Sequence, residues 1–287
     1  VNRLNTLLIV AAVSGMVSAM VAIEPAPPSA PFAVPALARD RHADAAAFLA
    51  DHGFALLAGV FDDAALVALE DECSRIQQEV ARGEHPARHG GEIFIDDESD
   101  GSDGTPFVNY VSHITELSPL ADAAATHPDV VAVMRLALGD GAWLLDDERF
   151  GVVYQDARPG RESAYSRIGW HSDWQSGPHL DMWPSVAFTI HIDATSPANG
   201  FLRVVPGSHR RDPSEMPLRF ERIPGEIAVY ADRGDVILHD AHLWHSAARA
   251  TEDGPSSVRR HIRGGWYAGR RLAKDHDNSD FVKNAAR

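Results

Sequence analysis

The chain has 287 residues, 45% hydrophobic and 23% charged, which suits one sizeable globular domain and leaves no low-complexity tract. A formal net charge of −15 argues against any broad contact with nucleic acid or an anionic membrane surface. The single cysteine, Cys73, excludes an intrachain disulfide framework and any multi-cysteine zinc or iron–sulfur site, and suits a reducing compartment such as the cytoplasm.

Leu7 to Ile23 is a run of apolar and small residues preceded by one charge, Arg3. It reads as a signal peptide with Val17-Ser18-Ala19 as cleavage site, as a short membrane span, or as a start placed too early, since Met16 and Met20 lie inside it. Glu24 to Pro35, rich in Pro and Ala, reads as a linker or extended arm. Residues 1–38 are therefore set apart from a single expected domain over 39–287, and no stable membrane association is expected.

Asp40 to His52 predicts a helix ended by Gly53, followed by a short strand at Phe54-Ala55-Leu56-Leu57. Leu66, Leu69, Cys73, Ile76 and Val80 recur at helical spacing, which places Cys73 on a buried face as a core residue. Arg82 to Thr105, full of Gly, Asp and Glu, predicts a surface loop or lid, and Phe107 to Val111 a strand. Leu117 to Leu138 predicts one or two helices, interrupted at His127-Pro128 and closed by Gly139.

From Trp143 the texture changes to short β-prone segments separated by turns: 143–154, 169–174, 186–193, 201–205, 227–230, 235–239 and 258–267. Many short strands with Gly/Pro turns and no intervening helix predict a sandwich or barrel. A helical N-terminal third packed on a jelly-roll core over about 143–268 fits the pattern.

Two histidines and a carboxylate on one face of a metal form the facial triad of non-haem iron(II) oxygenases. Three His-x-Asp pairs offer themselves: His171/Asp173, His179/Asp181 and His191/Asp193. The second sits among Gly177, Pro178 and Pro184 and is hard to place on a strand. In the third, Asp193 suits a role bonding the backbone of the following turn. If Gly169–Trp174 is a strand, His171 and Asp173 leave the same face. A further ligand must come from far along the chain, where His239, His242 and His245 are all available.

Trp170-His171-Ser172-Asp173, Thr195-Ser196-Pro197-Ala198-Asn199-Gly200, Val204-Val205-Pro206-Gly207-Ser208-His209, Gly234-Asp235-Val236, Trp244-His245-Ser246 and Val258-Arg259-Arg260 occur in that order. Together they resemble the phytanoyl-CoA dioxygenase family over roughly Tyr154 to Tyr267. The resemblance implies a mainly β double-stranded β-helix (jelly roll) with packed N-terminal helices. It also implies Fe(II) as metal, 2-oxoglutarate as cosubstrate and dioxygen as oxidant. His171, Asp173 and His245 would be the metal ligands, with His242 as the fallback for the last, His239 a satisfied wall histidine and His209 part of a structural turn. Arg259 would grip the far carboxylate of 2-oxoglutarate as a bidentate fork. A long spacer from Ala247 to Ser257 keeps Arg260 as the alternative, and Arg263 shares the face of Arg259.

Gln155 resembles a cosubstrate-contacting glutamine of the ectoine hydroxylase branch, although Trp174-Gln175-Ser176 departs from that branch's continuation, so its substrate is not carried over. Trp174, His179 and Trp183 are candidates for lining the substrate mouth. Relatives that halogenate have a small residue where this chain has Asp173, so the carboxylate points to hydroxylation or a related oxidation; the expected reaction is hydroxylation of an unactivated C–H bond in a small molecule, with release of succinate and CO2. Two other readings stand beside this one. A non-catalytic jelly-roll binding or sensor protein would retain the pocket alone. A zinc-dependent hydrolase could use the same triad but would leave Arg259 without a role.

Overall fold

A computed structural model describes residues 32–90, 95–99, 106–146, 150–157, 168–173, 184–216, 222–252 and 255–271. The predicted strands 54–57 and 258–267 are β2 (Phe54–Ala58) and β14 (Arg259–Tyr267) of an eight-stranded sheet. Between them in the sheet lie β12 (Val236–Asp240) and β9 (Ser185–His191), and beyond β14 come β7 (Val153–Ala157) and β5 (Tyr110–Val111). The outer neighbour of β2 is β1 (Ala36–Ala38), which pairs with it in parallel, and β6 (Trp143–Leu144) pairs with the far end of β14. A second sheet of four strands runs in the order β11 (Ile227–Val229), β10 (Leu202–Val204), β13 (His245–Ala247) and β8 (Ile168–His171). This is the jelly roll the sequence predicts.

The helices cover one face of the large sheet. Helix α1 (His42–His52) ends where Gly53 turns left-handed at φ 81 and returns its N–H to the Leu49 carbonyl. Helix α2 (Asp63–Ala81) starts at Asp62, whose carboxylate accepts from the Ala65 N–H at 2.9 Å. Its predicted stripe is buried as expected, Cys73 included, and burial pushes that thiol up to about 12, which suits an inert core residue. A short α3 (Ile114–Leu117) precedes the two helices of the predicted stretch, α4 (Pro119–Ala125) and α5 (Pro128–Leu138), each with a proline at its first position.

Period-two alternation divides the large sheet. Val236 and Leu238 join Phe188, Ile190, Ile262 and the helices in the main core. Ile237, Phe54 and Leu56 point the other way and pack against Val204 and Val229 of the small sheet. The space between the sheets is thus apolar at this end.

Several boundaries differ from expectation. Segment 143–154 is two strands rather than one, with Gly151 at φ 55 between them. The strand expected at 107–111 is split at Asn109 into β4 (Pro106–Val108) and β5. Region 82–105 is not simply a surface loop: Ala87–His89 forms a 3-10 turn that buries His89, and β3 (Ile95–Ser99) pairs with β4. Among the described residues no helix is long and apolar enough to cross a membrane. The apolar run 7–23 lies outside the described residues.

Candidate metal centre

His171 closes β8 and His245 opens β13, and the two are direct partners across the antiparallel pair. Their rings lie 4.1 Å apart between centroids. The tryptophan before each histidine points the opposite way, and Trp170 and Trp244 bury together against Val205. That packing anchors both strand ends. The register shifts between His245 and Ala247, a bulge immediately beside His245.

Asp173 is not on the strand. Strand β8 stops at His171, so the same-face argument for a His-x-Asp pair does not apply here. The aspartate reaches the site because its backbone N–H donates to the Ala241 carbonyl at 3.0 Å, tying the bend to the turn ahead of His245. One ligand atom from each of His171, Asp173 and His245 lies within 4.8 Å of the others, and this is the metal-capable group among the described residues.

The hydrogen bonds fix which atoms converge. Nδ1 of His171 sits 2.8 Å from the Gly169 carbonyl, and Nδ1 of His245 sits 2.9 Å from the Leu243 carbonyl. A carbonyl only accepts, so both Nδ1 atoms carry the proton and both Nε2 atoms keep a lone pair. Those Nε2 atoms face Asp173 Oδ1, at 4.0 Å for His171 and 3.3 Å for His245. Two imidazoles oriented by backbone carbonyls, plus one carboxylate, match the donor set of the facial triad.

Electrostatics support the assignment. Burial and the neighbouring His245 push the His171 imidazole down to about 4, so it is neutral and available as a ligand near pH 7. Burial opposes the Asp173 charge, but the facing His239 and His245 outweigh it and hold the carboxyl well below the usual range. Burial likewise opposes a charge on His245, but Asp173 draws it upward in the absence of metal.

His239 is more than the wall histidine that the family resemblance implies. Its Nε2 lies 3.0 Å from Asp173 Oδ2, the oxygen not turned toward His245, while its Nδ1 is buried without a partner among the described residues. His242 does not join the group; its backbone N–H donates to Asp240 Oδ1. His209 sits in the predicted turn, its Nε2 3.2 Å from the Ala50 carbonyl.

The two candidate arginines differ in their partners. Arg260 donates from Nε and Nη2 to Asp193 at 2.8 Å each and also grips Glu70. Asp193 is therefore an ion-pair partner rather than the carboxylate of the turn. Asn199 closes that turn, accepting from the Ser196 N–H at 2.8 Å and donating to the Ala194 carbonyl at 2.7 Å. Arg259 faces the other way, is buried, and its Nε has no hydrogen-bond partner among the described residues. Burial alone brings its guanidinium down to about 10. Gln155 is buried on β7 opposite His261 of β14. Trp174, His179, Asp181 and Trp183 lie outside the described residues.

Fold and site together define a jelly-roll protein with a two-histidine, one-carboxylate centre at one end of its small sheet. A family model described as Phytanoyl-CoA dioxygenase matches residues 49–258, and the chain belongs to the phytanoyl-CoA dioxygenase family. No curated protein matches the chain. Among solved structures, EctD from S. alaskensis with bound Fe aligns at TM-score 0.60 and 18% identity, over 84% of this chain and 83% of that one. The carbocyclase SnoK from nogalamycin biosynthesis, described as non-heme and alpha-ketoglutarate dependent, aligns at TM-score 0.59 and 19% identity, over 82% and 87%. AviO1 from Streptomyces viridochromogenes Tue57 aligns at 0.57 and 18%, over 81% and 97%. At these identities the likeness establishes the fold.

Proposed function

We propose that the protein is an Fe(II)- and 2-oxoglutarate-dependent dioxygenase that hydroxylates an unactivated C–H bond of a small molecule. His171, Asp173 and His245 would hold the iron through two Nε2 lone pairs and one carboxylate oxygen. When bound, iron and cosubstrate supply the oxidising chemistry, consuming dioxygen and releasing succinate and CO2. The chain's own residues position and insulate: His239 steadies Asp173, Arg259 receives the far carboxylate of the cosubstrate, and Trp170 and Trp244 fix the strand ends.

The observation that carries this reading is Arg259. Among the described residues this buried guanidinium has no acidic partner, which is costly, and a carboxylate from outside the chain would offset that cost with a bidentate pair. A zinc hydrolase or a simple metal-binding protein would have no use for it.

The test is anaerobic titration of Fe(II)-loaded protein with 2-oxoglutarate, following the weak visible charge-transfer band of the chelate. The expected result is a band in the wild type that Arg259→Leu weakens. Bound iron with no band at saturating 2-oxoglutarate would transfer the site to the hydrolase or binding-protein readings.

A further inference from the structure

Two buried histidines that the metal centre does not use stand beside Arg259. His191 ends β9 and is the direct partner of His261 on β14, with ring centroids 6.2 Å apart. Arg259 lies two residues before His261 and so leaves the same face of the sheet. That face looks into the space between the sheets: His239, which touches Asp173, is opposite Ala187, and two-residue steps along β9 lead from Ala187 to His191. All three side chains are at least nine-tenths buried. Neither ring nitrogen of His191 has a hydrogen-bond partner among the described residues, and the same is true of Arg259 Nε.

A histidine kept in a core for structure bonds a ring nitrogen to a backbone carbonyl, as buried His89 does to Ser112 here. His191 does not. Burial first, and the Arg259 charge second, push its imidazole down to about 3, so it stays neutral and holds one N–H donor toward the interior. A carboxylate has about four lone-pair sites and the fork of one arginine fills two. In a dry pocket the remaining sites need donors, and neutral imidazoles supply them without adding a charge.

We propose that His191, together with its cross-strand partner His261, completes a donor cradle around Arg259 for the far carboxylate of 2-oxoglutarate. His191 is thereby a binding residue for the cosubstrate that selects a dicarboxylate over a 2-oxo acid with an apolar tail. The inference rests on the cosubstrate reading given above.

The experiment measures dissociation constants by anaerobic calorimetry on Fe(II)-loaded protein, for 2-oxoglutarate and for 2-oxopentanoate, which keeps the chelating end but has a methyl group in place of the far carboxylate. His191→Leu is expected to weaken 2-oxoglutarate by about tenfold or more, the loss of one hydrogen bond to a charged group, and to leave 2-oxopentanoate unchanged. His191→Gln, which retains a donor, is expected to recover part of the loss. Should His191→Leu fail to fold, His261→Leu is read by the same comparison. Equal affinity of wild type and variant for 2-oxoglutarate would overturn the cradle while leaving the cosubstrate reading intact, and so would an equal loss for both ligands. A wild type that binds no 2-oxoglutarate would overturn both.

Discussion

His239 Nε2 and Asp173 Oδ2 are 3.0 Å apart, and the contact joins the large sheet to a carboxylate that belongs to neither sheet. Among the described residues Asp173 is otherwise placed by its backbone hydrogen bond to Ala241 and by His245, 3.3 Å from its other oxygen, and 31% of its side chain is exposed. His239 therefore sets which oxygen faces the two ligand histidines. Replacing it with Leu should weaken iron binding by about 10- to 100-fold, the usual loss when a group orienting a ligand is removed. Competition against a chelator measures this, and His239→Gln should restore most of the affinity. Unchanged affinity in His239→Leu would show that Asp173 is oriented without it.

The two neighbouring arginines should respond in opposite ways. Arg260→Leu breaks the pairs with Asp193 and Glu70, which are only partly exposed, and should cost about 2 kcal/mol of stability. Its effect on 2-oxoglutarate affinity should be small. Arg259→Leu removes a buried charge that has no partner among the described residues, and should stabilise the metal-free protein by about 1–2 kcal/mol while abolishing cosubstrate binding. Thermal melts paired with ligand titrations separate the cases. Equal destabilisation by both variants would remove the distinction.

Gly200 is where the turn passes under Arg259. Its φ is +87, and a Cβ there would lie 2.4 Å from the Ala248 carbonyl oxygen and 3.0 Å from Arg259 Nη1. Gly200→Ala should cost about 2 kcal/mol or more through left-handed strain and overlap with backbone that cannot give way. It should also loosen 2-oxoglutarate binding by displacing the guanidinium. A denaturant melt and a cosubstrate titration on one preparation check both effects.

Acid should destabilise the metal-free protein earlier than carboxylate protonation would. His191 is held down to about 3 and His261 well below its usual value, each by burial first and Arg259 second. The unfolded chain takes up a proton on each near pH 6.5 and the folded chain does not, so stability is full above that pH and falls as the pH drops. Each histidine should remove about 2 kcal/mol between pH 6.5 and 5. His245, drawn upward by Asp173, acts in the opposite sense and offsets part of the loss. His191→Leu should flatten the slope of stability against pH over this range; an unaltered slope would mean His191 does not titrate as its surroundings require.

Elements with a repeating pattern were readable from the residues. The stripe from Leu66 to Val80, the glycine stop at Gly53 and the opposed faces of Arg259 and Arg260 all follow from helical or strand periodicity. His171, Asp173 and His245 do come together as a group that could hold a metal, but Asp173 is not on the strand that the His-x-Asp spacing predicts. Its place depends on a hydrogen bond to Ala241, 68 residues away, which no local pattern encodes. His239 and His191 were passed over for the same reason. Their roles come from what the opposite sheet or the next strand sets beside them, and a lone histidine in a strand carries no mark of that. Asp193 misled because an aspartate before a turn ordinarily bonds its backbone, whereas here Asn199 does so and leaves Asp193 to Arg260.

The large sheet tapers at both ends, to three residues in β1 and two in β5. A sheet margin is a row of unpaired amides and carbonyls, and long margins recruit strands from other molecules. Here each outermost strand offers so few such groups that a second chain would gain little by adding to it. An eight-stranded sheet of Val, Ile and Phe is thereby kept from becoming a template for aggregation, even in metal-free protein before the centre is loaded.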